Sequence, residues 1–163
     1  MFTDSDKQKI YSDTMHRIWL LIDDSTDWIA ALSTIVSELH SSFDQFHWTG
    51  FYRTVRNKHL QVGPYQGEHG CIDIPFSQGV CGAAARLGMT QLIRDVREFE
   101  GHIACSPTTL SEIVVPVLDS HDETVAILDI DSNELEAFDD TDRENLEELC
   151  RKLGKRFTQM IST

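Results

Sequence analysis

Three thiols and three carboxylates crowd the middle of this sequence. Cys71, Cys81 and Cys105 lie within residues 63–131, and so do Glu112, Asp129 and Asp131, which interrupt otherwise apolar, strand-like runs. Thiols set among carboxylates point to redox chemistry on a small cationic ligand. Side chains alternate faces along a strand, so Asp129 and Asp131 share one face while Leu128 and Ile130 take the other. If Leu118 lies opposite Val125 in an antiparallel pair, Glu112 lies opposite Asp131 and all three acids meet on one face. A slip of one residue would send Glu112 to the other side. Clustered carboxylates repel, so burying them requires a cation or a retained proton. An amino acid's ammonium group supplies the first, and a sulfoxide or carbonyl oxygen uses the second. The plainer alternative leaves the acids at strand ends in solvent.

The cysteines do not have the spacing of structural zinc, which takes close pairs with two to four intervening residues. Here nine and then 23 residues intervene. No metal site is expected, although His69 near Cys71 and His102 near Cys105 leave a mixed site as an alternative. Cys150 falls on the apolar stripe of the last helix and is expected in the core. Cys81, in Val80-Cys81-Gly82-Ala83, can equally be packing. Cys105 sits in an irregular loop before Ser106-Pro107, where a substrate can reach it. Trp48 and Tyr52, four apart on one strand face, are either core or an aromatic wall for a methyl-sulfur group.

The elements that would position these residues follow from periodicity. Apolar residues at Tyr11, Met15, Ile18 and Ile22 give a helix over 5–24, with Lys7 and Lys9 off the stripe. Asp27 caps a second helix carrying Trp28, Leu32, Ile35, Val36 and Leu39. Strands are expected over 46–53 and 59–64 around a turn at Arg56-Asn57-Lys58. Gly63, Pro64, Gly67 and Gly70 mark a loop that can close over a ligand. A short helix follows over 80–87, then a strand over 91–95 and an irregular loop over 97–109. Residues 111–118 and 124–131 form a hairpin turning at His121-Asp122. Thr141 and Glu144 have capping-box spacing for a final helix, whose buried stripe is Leu146, Leu149, Leu153, Phe157 and Met160. The result is an α+β architecture, an antiparallel sheet with helices from both termini packed on it.

Composition sets the bounds. With 163 residues the chain is expected to be a single domain, 1–163, large enough for a real core. A net charge of −13, from 27 acids against 14 basic residues, disfavours nucleic acid and anionic membrane surfaces. No apolar run is long enough to span a bilayer, and the acidic start of the sequence is unlike a signal peptide. The expected setting is the cytoplasm, where thiols stay reduced.

Six segments then follow one another in order: Trp48-Thr49-Gly50-Phe51-Tyr52, Val62-Gly63-Pro64-Tyr65-Gln66-Gly67, Gly79-Val80-Cys81-Gly82, Gly101-His102-Ile103-Ala104-Cys105, Ser111-Glu112-Ile113-Val114-Val115-Pro116 and Leu128-Asp129-Ile130-Asp131-Ser132. This run resembles the GAF-domain family of free methionine-(R)-sulfoxide reductases over nearly the whole chain. The resemblance implies a GAF-like fold and reduction of the R epimer of free, not protein-bound, methionine sulfoxide. It also implies no bound cofactor, an external thioredoxin-like dithiol and a homodimer. On matching positions it makes Cys105 the catalytic cysteine, Cys71 the main resolving cysteine and Cys81 the third. Glu112, Asp129 and Asp131 become the substrate-binding acids, and Trp48 and Tyr52 the aromatic wall. The chain departs from the family at Ser106-Pro107, where an acid usually follows the cysteine, and at Glu100, where a proline is common. The implied chemistry is attack by the Cys105 thiolate on sulfur, with Glu112 or Asp131 as general acid. A sulfenic acid forms and condenses to a disulfide, which an external dithiol resets. Two rival readings are a GAF-type ligand or redox sensor without catalysis and a zinc-bound structural domain.

Overall fold

The computed structural model describes residues 4–56 and 58–161. Asn57, the centre of the expected first hairpin turn, lies outside them. The elements run α1 (Asp4–Ile22), α2 (Trp28–Ser42), β1 (Trp48–Val55), β2 (His59–Gln66), β3 (Asp73–Pro75), α3 (Gly79–Leu87), β4 (Gln91–Ile93), a 3-10 turn (Val96–Glu98), β5 (Ser111–Leu118), β6 (Thr124–Ser132) and α4 (Asp140–Ile161). Among the described residues the sheet has six strands in the order β3-β2-β1-β6-β5-β4, and every neighbouring pair is antiparallel. The expected α+β arrangement is therefore observed.

Alternation divides the sheet into two working faces. Phe51, Ile113, Val115, Val117, Ala126, Leu128 and Ile130 face the terminal helices and join Tyr11, Ile18, Leu32, Ile35, Leu39, Leu146, Leu149, Cys150 and Leu153 in the larger core. Trp48, Tyr52, Val114 and Ile127 face the other way and pack with Val80, Cys81, Ala84 and Ala85 of α3. With both faces covered, the central strands are buried along most of their length, as in Ala126 to Ile130. Gly154 lets α4 lie directly on β5, because a Cβ there would sit 1.9 Å from the carbonyl oxygen of Leu118.

The helix starts are encoded locally. Asp27 caps α2, accepting from the Ala30 amide at 2.7 Å. The capping box of α4 lies two residues before the expected one. Asp139 Oδ1 accepts from the Thr141 amide at 2.8 Å and the Asp142 amide at 3.3 Å, while Asp142 Oδ2 accepts from the Asp139 amide at 2.8 Å. An aspartate in place of Glu or Gln at the third position closes the same reciprocal pair. Lys7 is buried rather than off the stripe. Its Nζ donates to Asp142, and to Asp139 at 2.8 Å, and Tyr11 Oη donates to Asp142 at 2.7 Å.

Three further differences have local causes. β2 runs on through Gly63 and Pro64 to Gln66, so only Gly67 and Gly70 of the expected glycine loop lie beyond the strand. β3 was not anticipated; three residues are too few to show a period. β1 begins at Trp48 because Phe46 turns inward to stack on Phe43, with ring centroids 4.5 Å apart.

Candidate active site

The register of the β5–β6 hairpin builds the floor of the site. Glu112 stands opposite Asp131 and Asp129 opposite Val114, the pairing on which the shared acid face depends. The end of the hairpin differs from the expectation, since an irregularity pairs Leu118 with Thr124 instead of Val125. β1 continues the same face: Trp48 pairs with Asp131, Gly50 with Asp129 and Tyr52 with Ile127. Gly50 leaves room for the Trp48 ring, which a Cβ at that position would meet at 2.4 Å. Trp48 stacks against Tyr52 and Tyr65, with centroids 5.8 and 5.3 Å away, and its Nε1 donates to the Glu68 carbonyl at 2.9 Å. That hydrogen bond ties the 67–72 loop, and Cys71 with it, to the aromatic wall.

α3 brings Cys81 down onto the acids. Its Sγ donates to Asp129 Oδ2 at 3.4 Å, and the Glu112 Oε1 atom is 3.8 Å away. The 97–109 loop closes the other side. His102 Nε2 lies 3.6 Å from Glu112 Oε2. Cys105 is joined to Cys71 by a disulfide with Cα atoms 5.2 Å apart. The bond takes both thiols out of the mixed histidine–cysteine sites that spacing alone had left open. Cys81 and Cys150 are free and buried, Cys150 in the opposite core as its place on the helical stripe requires.

Tyr52, Ile74, the first turn of α3, His102, Ile103, Cys105, Thr109 and the three acids enclose a cavity of about 30 Å³.

The electrostatics are those of acids deprived of water. Glu112 and Asp129 are both 5% exposed. Burial pushes the Glu112 carboxyl up to about 7, aided by Asp131 and opposed by His102. Burial, then Glu112, raises Asp129 well above the usual range, and burial, then Asp129, raises Asp131. The Cys81 thiol is also pushed well up, by burial first and then by Asp129 and Glu112. Desolvation disfavours every charged form here, so protons are held. Among the described residues, none donates a hydrogen bond to the buried Asp129 Oδ1. Among the described residues, Cys81, Glu112 and Asp129 also place ligand-type atoms within 4.8 Å of one another.

Of the residues singled out from the sequence for this site, Tyr52, Cys81, Cys105, Glu112, Asp129 and Asp131 line the cavity, while Trp48 stands behind Tyr52 and Cys71 is attached through Cys105. Spacing in the sequence sets His102 near Cys105 and does not relate it to Glu112. Its approach to Glu112 depends on the path of an aperiodic loop, which strand arithmetic does not reach.

Comparison with known proteins places this architecture. The family model described as GAF domain matches residues 25–155. The free methionine-R-sulfoxide reductase of Saccharomyces cerevisiae is 38% identical over 141 residues, 83% of this chain and 78% of that protein. The chain belongs to the GAF-domain free methionine-R-sulfoxide reductase family. The Escherichia coli enzyme of the same name is 35% identical over 149 residues, 91% of this chain and 89% of that one. The X-ray structure of the Neisseria meningitidis free methionine-R-sulfoxide reductase in complex with its substrate superposes with a TM-score of 0.91 at 40% identity, covering 99% of this chain and 96% of that one.

Proposed function

We propose that this chain reduces free methionine-(R)-sulfoxide to methionine, with Cys105 as nucleophile. One observation carries the reading: Cys105, joined to Cys71, lines a cavity whose floor is three carboxylates. An ammonium group fits that floor, and a peptide-embedded residue has none. The Trp48–Tyr52 wall suits the methyl-sulfur end. The first turn of α3, whose amides have no partner within the helix, suits the carboxylate.

The chemistry follows from these positions. The Cys105 thiolate attacks the sulfoxide sulfur. Glu112 or Asp131, kept protonated by burial, gives a proton to the departing oxygen as the charge develops there. Oxygen passes to Cys105 as a sulfenic acid and methionine leaves. The Cys71 thiol displaces that oxygen as water and forms the Cys71–Cys105 disulfide. A thioredoxin-type dithiol of the cytoplasm exchanges with the disulfide and restores both thiols. Cys81, with its thiol pushed up, is a poor thiolate; its part is to donate to Asp129. Asp129 and whichever acid is not the proton donor hold the ammonium. No metal or bound cofactor has a step. Leu20 and Leu21 on α1 and Ile29 on α2 leave large apolar side chains exposed, the kind of surface that a second copy covers in a homodimer.

The test is methionine release from free R sulfoxide, free S sulfoxide and an N- and C-blocked peptide sulfoxide, with dithiothreitol and then thioredoxin as reductant. Turnover is expected with the free R epimer only. Cys105→Ser should abolish it, and Cys71→Ser should allow one turnover before stalling with thioredoxin. Comparable rates on the blocked peptide would overturn the reading.

A further inference from the structure

Cys81, Glu112 and Asp129 are arranged as a ligand set for a thiophilic divalent cation. Zinc bonds of about 2.3 Å to sulfur and about 2.1 Å to oxygen in a tetrahedron imply donor–donor edges of about 3.4–3.6 Å. Cys81 Sγ is 3.4 Å from Asp129 Oδ2 and 3.8 Å from Glu112 Oε1, so these edges nearly exist already. His102 Nε2 lies 3.6 Å from Glu112 Oε2 but outside the set of mutually close donors, so three protein ligands leave the fourth position to water. A second observation points to a ligand independently of the clustering. Asp129 is 95% buried, and among the described residues none donates a hydrogen bond to its Oδ1 atom. A buried carboxylate oxygen left unpaired is costly, and a cation is one of the few groups that can satisfy it.

We propose that these residues form an inhibitory site for zinc-class divalent ions. On binding, Cys81, Glu112 and Asp129 release to the buffer whatever protons they hold, and the metal bonds to their sulfur and oxygen atoms. A thiolate among the donors selects zinc or cadmium over magnesium and calcium, which take oxygen ligands only. The metal is not a cofactor: it occupies the floor that the proposed function gives to the substrate's ammonium, and so excludes substrate. Only that exclusion rests on the proposed function; the binding does not. The site persists with Cys71 and Cys105 joined, so the oxidised protein binds the ion as well.

The experiment uses the full chain in its disulfide form, where Cys81 and the deeply buried Cys150 are the free thiols. Calorimetric titration with zinc sulfate should show one ion bound per chain at micromolar concentration. Cys81→Ser and Asp129→Asn should each weaken binding by roughly 100-fold or more, since even outer partners of metal ligands are worth about 10–100-fold. His59→Gln, which alters the exposed His59–Asp73 pair, should leave it unchanged. Cobalt binding to the parent protein gives a second measurement that does not depend on any variant folding. It should produce thiolate-to-cobalt charge-transfer absorption in the near ultraviolet. Zinc binding that survives both substitutions, no saturable binding by the parent, or cobalt binding without the thiolate band would each overturn the site. None of these readouts requires turnover, so failure here leaves the reductase reading standing.

Discussion

The molecule buries two acid clusters, one on each side of its sheet, and they are built to opposite specifications. On the helical side, Asp142 is fully buried, and both of its oxygens are partnered by Tyr11, Lys7 and the Asp139 amide. Burial raises its carboxyl, but Lys7, Tyr11 and the amide pull against that rise. On the α3 side, Glu112, Asp129 and Asp131 have one another, the partially opposing His102 and the Cys81 thiol, and among the described residues no donor reaches Asp129 Oδ1. The first cluster is complete and ties α1 to the start of α4. The second is left incomplete, and under the proposed function its missing partner is the substrate. Polar satisfaction, rather than burial or charge count, separates structural acids from functional ones here.

Breaking the complete cluster should have the largest effect on stability. Asp142→Ala leaves Lys7 with the half-exposed Asp139 alone and takes the acceptor from the Tyr11 hydroxyl and the Asp139 amide, and is expected to cost about 1–3 kcal/mol for each buried donor left unpaired, read by denaturant unfolding. The specific activity of the protein that remains folded should not change. Asp129→Asn should do the reverse, leaving stability equal or raised while lowering kcat/KM for free methionine-(R)-sulfoxide by about 10–100-fold. That range corresponds to one charge-assisted contact of about 1.5–3 kcal/mol. If Asp129→Asn unfolds the protein as Asp142→Ala does, the contrast between the two clusters fails.

Titration sharpens the contrast. Glu112 is raised in the folded protein, so the folded state binds more protons than the unfolded one between its ordinary value and about 7. Its contribution to stability is therefore full below about pH 4.5 and is lost as pH rises through 7, a change of at most a few kcal/mol. Denaturant midpoints of the parent should fall across that window, and Glu112→Gln should flatten part of the decline. The smallest effect belongs to Cys150. Cys150→Ala leaves a methyl-sized gap in the larger core and is expected to cost about 1 kcal/mol, with turnover unchanged.

Much of this site could be read from the sequence, because it lies on strands. A period of two fixes that Asp129 and Asp131 share a face, and a hairpin register adds Glu112 to them. Trp48 and Tyr52 follow by the same rule. What could not be read depends on long-range contacts without a local period. The burial of Lys7 is set by residues more than 130 positions away. β3 exists because Asp73–Pro75 pairs with β2. The approach of His102 to Glu112 depends on the course of the 97–109 loop. The α4 cap is a different case: its signal was local, but Asp139 and Asp142 are less familiar in a capping box than Thr141 and Glu144.

The central claim is that the incomplete cluster supplies the proton to the sulfoxide oxygen. Single-turnover loss of the Cys105 thiol tests it most directly. Reduced parent, Glu112→Gln and Asp131→Asn proteins would be mixed with free methionine-(R)-sulfoxide across substrate concentration and pH. At least one variant is expected to lose limiting rate by more than its half-saturation concentration changes, the mark of an interaction made in the transition state. Parent-like rates for both variants across the whole range would contradict the claim and move the proton source to water or to the loop around His102.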